Sequence, residues 1–540
     1  MKEKAIIVLI LFLVSSCLFH GNLGYVGVEA SDTYPVHNVN TGLNYSSIQA
    51  AIDAPQTVNG NTILVDAGTY NTTFVVDKSL AIIGSGRENT VVDGGGGYSV
   101  VWVDANDVLF EGFTVKGGLV GIYVDHSDNC VLRENSLTDM TDYYAIWAVY
   151  SGNLTIDQNI VGPNSCSGIL VSNSLGFQVM DNDVHNNGGQ GYGINANASF
   201  NGVIAGNNVY QNAYDGIGLS KGSRNVTISK STIRDNVLFG VDIIDPDCED
   251  NLIYDNNIIN NTKQASVFSP NRWDNGLEGN YWSDYVGVDQ DQDGIGDTPY
   301  LVSGNNTDNY PLMGVFSVFK TSLGYDVDVI SNSSIASFAY FASNGTIAMQ
   351  VLSNVLSHTT SFCRVRIPHG LMTEPYNVTV DGASPLYWNY TVYDDGKSRW
   401  IYFEYQRSAR GVVILGLPPP PTVSIVLPEN KTYTVSDVPL TFTVDEETFS
   451  VTYSLDGQSN VTIDGNTTLP GVSNGTHVLV VYARNDFGET GASNPVYFSV
   501  SAVGSGLFLV WVSVAAVALA VTVVLVYFRV LKRKKREKNG

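Results

Sequence analysis

Cysteine is scarce in this chain. Beyond the N-terminal apolar segment only Cys130, Cys166, Cys248 and Cys363 remain among 540 residues. Their irregular spacing fits neither a metal knuckle nor a disulfide framework, so they read as buried free thiols. Basic side chains are also few: Lys and Arg number 28 against 52 Asp and Glu, a formal charge of −24. Between residues 31 and 506 the balance is 19 basic to 49 acidic side chains. Nucleic acid needs a basic footprint, so it is excluded as a partner. Cations, or solubility in salt, are the better readings of such a surface. Long apolar runs are missing from the whole interior and occur only at the two ends.

At the N-terminus "MKEK" precedes the apolar run Ala5 to Phe19 and then Val28-Glu29-Ala30. Small residues at the first and third of these positions suit a signal peptidase, which makes 1–30 a signal peptide. The same region can also be read as a lipoprotein box, "VSSC", ending at Cys17. At the other end, Leu507 to Phe528 is free of charge and long enough to cross the ~30 Å hydrocarbon layer. The tail 529–540 holds seven Lys or Arg and one Glu, which places it in the cytoplasm and residues 31–506 outside. Fifteen Asn-X-Ser/Thr sequons, Asn44, Asn153 and Asn344 among them, lie in that outer segment as candidate glycan acceptors.

Residues 98–261 repeat. "GIYV" at Gly121, "AIWA" at Ala145, "GILV" at Gly168, "GINA" at Gly193, "GIGL" at Gly216 and "GVDI" at Gly240 follow one another at steps of 24, 23, 25, 23 and 24 residues. A second alternation aligns on Phe113, Asn135, Asn159, Asn182, Asn207, Ser231 and Asn256, with apolar residues three before and two after each. Period two at fixed coil length predicts short strands. No coil of this size buries its own apolar side, so coils must stack into a parallel β-solenoid. The Asn column then bonds from coil to coil at an inward bend. Upstream, Tyr45 to Ala54 reads as a short amphipathic helix that caps the open end.

The run "SSIQAAIDA…NTILVDAGTY…SLAIIGSG…VVDGGG", followed by the Gly-Ile-x-Val and Asn coils, resembles the right-handed parallel β-helix proteins of the pectin-lyase-like superfamily. Within it, "GNYWSDYVGVDQDQDGIGDTPY…DNYPLM" resembles the closing signature of NosD-like surface proteins. The resemblance implies a right-handed parallel β-helix over 36–313 with a helical N-terminal cap and an Asp-rich C-terminal clasp. It also implies an association with copper and with nitrous oxide reductase maturation. The residues do not support copper: His37, His126, His185, His358, His369 and His477 are scattered and Met is scarce.

In the aspartate run, Asp289, Asp291, Asp293, the carbonyl of Ile295 and Asp297 occupy positions 1, 3, 5, 7 and 9 of an EF-type loop, with Gly294 at the turn. Position 12 is Tyr300, not Glu, so the bidentate ligand is missing. A structural Ca²⁺, an empty acidic turn and a catalytic centre remain as readings, in that order. Trp273, Tyr281, Trp282 and Tyr285 just upstream are expected to close the solenoid core.

After Met313 the coil repeat stops. Residues 314–417 alternate as strands between Asn, Gly and Asp turns, an antiparallel β-sandwich. "PPPP" at 418–421 is a stiff spacer, and 422–500 resembles the Ig-like repeats of microbial surface proteins.

For function, the side chains two after each repeat Gly are expected to face outward on one sheet: Tyr123, Trp147, Leu170, Asn195, Gly218 and Asp242, with Asn197 two further along its strand. Rings at one end and amides at the other could hold a polysaccharide or envelope glycan; a mixed solvated face is the plainer alternative. Asp215 and Asp242, on adjacent coils, are the candidate carboxylate pair for a hydrolase, with Asp245 and Asp247 on the following turn. Turn aspartates are the competing reading of these residues, and a lyase would need a Lys or Arg that the coils do not supply. The sequence therefore reads as a membrane-anchored surface protein that binds or presents carbohydrate. A groove enzyme and an accessory factor for envelope metalloenzymes are the alternatives.

Overall fold

The computed structural model describes residues 34–189, 191–352, 360–406, 410–502 and 505–536. The signal-peptide and lipoprotein readings lie outside these residues. The contacts divide the chain into two units: up to Tyr285 together with Pro299–Pro311, and Val286–Thr298 together with everything from Leu312 onward.

The first unit is a parallel β-solenoid. One face is an eleven-stranded sheet that starts with the antiparallel pair Leu43–Tyr45 and Val36–Asn38. It continues coil after coil through Leu109–Glu111, Val131–Arg133 and Thr155–Asp157 to Leu252–Tyr254. The remaining faces are built by strands such as Ser136–Thr138 and Tyr144–Val149, each paired in parallel with its equivalents one coil away. The register matches the expected alignment. Phe110, Leu132, Ile156, Val179, Ile204, Ile228 and Ile253 are fully buried, and so are Val115, Leu137, Val161, Val184, Val209, Ile233 and Ile258.

Coil corners have a fixed backbone requirement. The residue before each bend of the Asn column, Glu134, Gln158, Asp181, Gly206, Lys230 and Asp255, has φ between 52° and 69°. A left-handed residue costs most side chains ~1–2 kcal/mol, and least at Gly, Asn and Asp. The matching corner Asn129, Asn153, Gly176, Asn201, Asn225 and Asp250 draws on those three types alone.

The Asn column forms the expected ladder. Asn135 Nδ2 donates to Asn159 Oδ1 at 3.1 Å, Asn159 to Asn182 at 3.0 Å and Asn182 to Asn207 at 3.0 Å. Two further ladders run beside it. Asn164, Asn187, Asn212, Asn236 and Asn261 are linked amide to amide at 2.9–3.0 Å. Ser127, Ser151, Ser174, Ser199 and Ser223 each accept or donate between backbone N–H and hydroxyl at 3.0–3.1 Å. All three satisfy backbone groups at bends that no strand pairs, where an orphan would cost ~1–3 kcal/mol.

Both ends of the solenoid are closed. Helix Ile48–Asp53 starts at Ser47, whose hydroxyl accepts from Ala50 N–H, and buries Ile48, Ala51 and Ile52. Lys78 Nζ donates to the carbonyls of Ile52, Ala54 and Thr57 and so satisfies its C-terminal end. At the other end Trp273 and Trp282 join the core, and Trp282 stacks on Tyr300 with centroids 4.3 Å apart. Trp282 Nε1 donates to the buried Asp308, which also accepts from the N–H groups of Asn280 and Tyr310.

In the second unit, the described residues between 315 and 417 form a five-stranded and a four-stranded antiparallel sheet around one apolar cluster that includes Val365, Ile401, Phe403, Val412 and Ile414. Residues 423–500 form two further sheets around Val438, Leu440, Leu479, Val481 and Phe498. Helix Ser505–Arg536 contains, within Ser513–Lys534, an 18-residue window of mean hydropathy 2.5, and is by length and composition apolar enough to cross a membrane.

The Asp-rich loop, expected as the clasp of the solenoid, groups with the second unit. Gly294 packs against Arg364 and Phe362, and Arg364 donates to the Asp293 carbonyl at 2.8 Å. The solenoid is instead closed by the aromatics and Asp308. A buried carboxylate with three N–H donors orders that end.

Candidate functional site

The columns run in the expected register along one face: Trp102, Tyr123, Trp147, Leu170, Asn195, Gly218 and Asp242 are successive ladder partners. Its two ends differ in kind.

The first end is a cluster of rings. Trp102 and Tyr123 have centroids 6.0 Å apart, and Tyr123 and Trp147 5.3 Å. Tyr143 and Tyr144 lie 5.9 and 5.7 Å from Trp147, and Tyr98 lies 5.9 Å from Tyr143. Tyr98 and Tyr143 are 53% and 46% exposed, and Tyr143 holds a left-handed φ of 39°, a strained conformation for so bulky a residue. The indole Nε1 of Trp147 is buried and finds no acceptor among the described residues. Of these six rings, the Gly-based alignment picks out Tyr123 and Trp147. Trp102 occupies the same column one coil earlier, where the strand Thr90–Val103 carries no repeat Gly-Ile to mark it. Tyr98, Tyr143 and Tyr144 precede the column and carried no repeat signal.

At the far end Asn195 and the two carboxylates are buried and Asn197 is half-buried. Asn195 is 6% exposed and its carbonyl accepts from Ser220 Oγ at 3.3 Å; Asn197 Nδ2 donates to the same hydroxyl at 3.0 Å. Both amides are thus engaged within the sheet. On the same face a Cβ at Gly218 would lie 2.2 Å from the ring of Tyr192, so the tyrosine fills the space that glycine leaves. Its hydroxyl reaches Asp242 Oδ2 at 3.3 Å.

Asp215 and Asp242 are brought within electrostatic reach of each other, yet they are 1% and 5% exposed. Burial pushes Asp215 up to about 6, with the Asp242 charge adding to the rise, although Phe239 N–H donates to Oδ1 at 2.8 Å. Its Oδ2 is buried without a partner among the described residues. Asp242 is also raised, chiefly by burial, against the opposing hydrogen bonds of Ser266 and Tyr192. Asp245 accepts from Lys221 N–H and lies with Asp247 and Cys248 on the next turn.

The aspartate loop brings Asp289, Asp291 and Asp293 together, their oxygens within 4.8 Å of one another. Asp289 accepts from the N–H groups of Asp293 and Gly294, Asp293 from Ile295 and Asp297 from Gln290. Burial raises Asp289 to about 6. Tyr300, at position 12, belongs to the solenoid unit, where its hydroxyl donates to Asp284.

Residues 82–287 match the family described as periplasmic copper-binding protein (NosD). The solenoid is NosD-like. A cell surface glycoprotein of Methanothermus fervidus is 27% identical over 292 residues, 46% of this chain and 48% of that protein. A NosD of Pseudomonas aeruginosa, described as a probable ABC transporter binding protein, is 42% identical over 59 residues, 11% of this chain and 14% of its own. The chain thus spans about half the length of the first relative and far less of the second. Among solved structures, the A-module of the Azotobacter vinelandii mannuronan C-5 epimerase AlgE4 is 16% identical over 42% of this chain and 92% of its own, with a TM-score of 0.27.

Copper does not fit the NosD-like span. Its two imidazoles are far apart in sequence and engaged: His126 with Asp125 at 2.7 Å and on the Tyr150 ring, His185 with Asn186 and on the Tyr210 ring. Among the described residues, the groups of three or more converging His, Cys, Asp or Glu side chains contain no imidazole. Cys248 sits in one of them, but burial raises its thiol and the N–H groups of Gly222 and Ser223 already occupy the sulfur.

Proposed function

We propose that this is an envelope-surface protein, anchored by helix Ser505–Arg536, that binds carbohydrate on the ring cluster of its solenoid. The observation that carries this reading is the column Trp102, Tyr123, Trp147 with Tyr98 and Tyr143 exposed beside it. Aromatic rings set in a row on a rigid sheet, inclined to one another by 49° and 60°, suit the apolar faces of sugar rings that turn from unit to unit. The description of the Methanothermus relative as a cell surface glycoprotein supports the location. In this reading the module 422–500 is Ig-like. The aspartate loop takes a structural Ca²⁺ through Asp289, Asp291, Asp293, the Ile295 carbonyl and Asp297.

The test is retention and scission together. Full-length protein in detergent is incubated with envelope and plant polysaccharides, and both bound chain and chain length are read. Retention with intact chains, lost in Trp102→Ala, is the expected result. A groove hydrolase is the second reading, favoured by the proximity of Asp215 and Asp242. Scission abolished by Asp215→Asn or Asp242→Asn would replace the binding role by that one.

A further inference from the structure

Charge and direction narrow the ligand. The outward stretches 98–103, 120–125, 144–149, 167–172, 192–197, 215–220 and 239–243 contain no Lys or Arg; their charged residues are Asp125, Asp215 and Asp242. Asp215 and Asp242 are buried. Asp125, two residues after Tyr123, is a carboxylate beside the rings: its charge acts on the Tyr123 hydroxyl and it lies 2.7 Å from His126 Nδ1. A uronate carboxylate laid on Tyr123 would face this like charge with no Lys or Arg in these stretches to offset it; Lys263 opens the strand beyond Asp242, past the far end of the column.

The column of rings itself runs from coil to coil. Along each strand the column residue is flanked by Val100 and Val101, by Gly121 and Ile122, or by Ala145 and Ile146, all buried. From coil to coil, ring follows ring. Coils of a parallel sheet are spaced by ~4.8 Å, close to the length of one pyranose unit. After Trp147 the open stretch ends, since Leu170 is 7% and Asn195 6% exposed.

We propose that the ring cluster takes an uncharged glycan whose chain runs along the solenoid axis, one sugar per coil, and that it discriminates against uronate chains. This rests on the carbohydrate-binding reading above and specifies its ligand class. Trp102, Tyr123 and Trp147 each stack on one unit, and Tyr98 and Tyr143 hold the side of the chain.

Full-length protein in detergent is titrated calorimetrically with cellohexaose, mannohexaose, chitohexaose and hexagalacturonate, without and with Ca²⁺. At least one uncharged hexaose is expected to bind, with hexagalacturonate weaker by about tenfold or more. Tyr98→Ala and Tyr143→Ala, both at exposed positions, weaken the uncharged ligand by about tenfold through lost stacking. Asp125→Asn narrows the gap to hexagalacturonate. Equal or tighter binding of hexagalacturonate, still lost in the tyrosine variants, overturns the uncharged class while leaving the site in place. Binding that the tyrosine variants do not change removes the ring cluster as the site. No binding of any of the four chains overturns both this inference and the reading it rests on.

Discussion

The hydroxyl of Tyr192 lies 3.3 Å from Asp242 Oδ2, two coils further along the solenoid, and its ring covers Gly218 on the coil between them. One aromatic side chain thereby closes over the carboxylates that the sequence places on an open face.

Two substitutions test that closure. Gly218→Ala puts a methyl group 2.2 Å from the Tyr192 ring and is expected to cost ~1–3 kcal/mol by overpacking. Tyr192→Phe keeps the ring but removes a donor to a carboxylate, a loss of about 1.5–3 kcal/mol that is largest where Asp242 is ionised. Thermal unfolding of each variant at neutral and acid pH gives both numbers; an equal loss at both pH values for Tyr192→Phe would show that the bond to Asp242 is not what the hydroxyl contributes.

Asp215 should make stability fall as pH rises. Its folded pKa of about 6 lies above the ordinary value of ~3.9, so the folded state holds the proton more tightly. The contribution is fully present below about pH 4 and is lost as pH climbs through about 6. Asp215→Asn keeps an acceptor for Phe239 N–H and removes the buried charge. It is expected to gain on the order of 1–2 kcal/mol over wild type at pH 7.5, after allowance for solvent screening, and nothing at pH 4. Paired unfolding curves at the two pH values measure the difference.

The amide ladder should distinguish serine from alanine. Asn182 accepts from the N–H and side-chain amide of Asn159 and donates to Asn207 Oδ1 and the Ile156 carbonyl. Asn182→Ala orphans several buried groups at once, at about 3 kcal/mol. Asn182→Ser copies the arrangement found at Ser231, whose hydroxyl accepts from Asn207 N–H and donates to the Ser229 carbonyl. It should cost about half as much. Hydrogen exchange at the neighbouring bends localises the effect, because the Asn182 amide bonds only to the coils next to its own.

Calcium at ~1 mM, in the range of extracellular modules, is expected to raise the unfolding temperature of the second unit and to flatten its dependence on pH between about 4 and 6. Asp291→Asn, at an exposed position, should remove most of that gain. A titration with no thermal shift in wild type would leave the loop as an acidic turn held by its own N–H bonds.

The solenoid was legible because its rule is local. Each coil repeats the same alternation, so Phe110 and Val115 predict Ile253 and Ile258, and all are buried as expected. The second amide ladder, Asn164 to Asn261, and the serine ladder from Ser127 were equally periodic and could have been found by the same count. The ring cluster was half legible. Tyr123 and Trp147 sit at a repeat position, whereas Tyr98 and Tyr143 reach it from outside the column.

The order of inward and outward residues, the coil length and the apolar ends were therefore determined by sequence alone, since they depend on period and composition. Which outward residues stay open was decided only by tertiary structure. Exposure depends on what lies across the sheet: Tyr192 covers Gly218 and takes Asp242 out of the surface, while among the described residues Tyr98 and Tyr143 stay 53% and 46% exposed. The same holds for the aspartate loop. Its spacing is a property of the chain, but its place beside Arg364 and Phe362 depends on packing between residues some seventy positions apart, which no local pattern encodes.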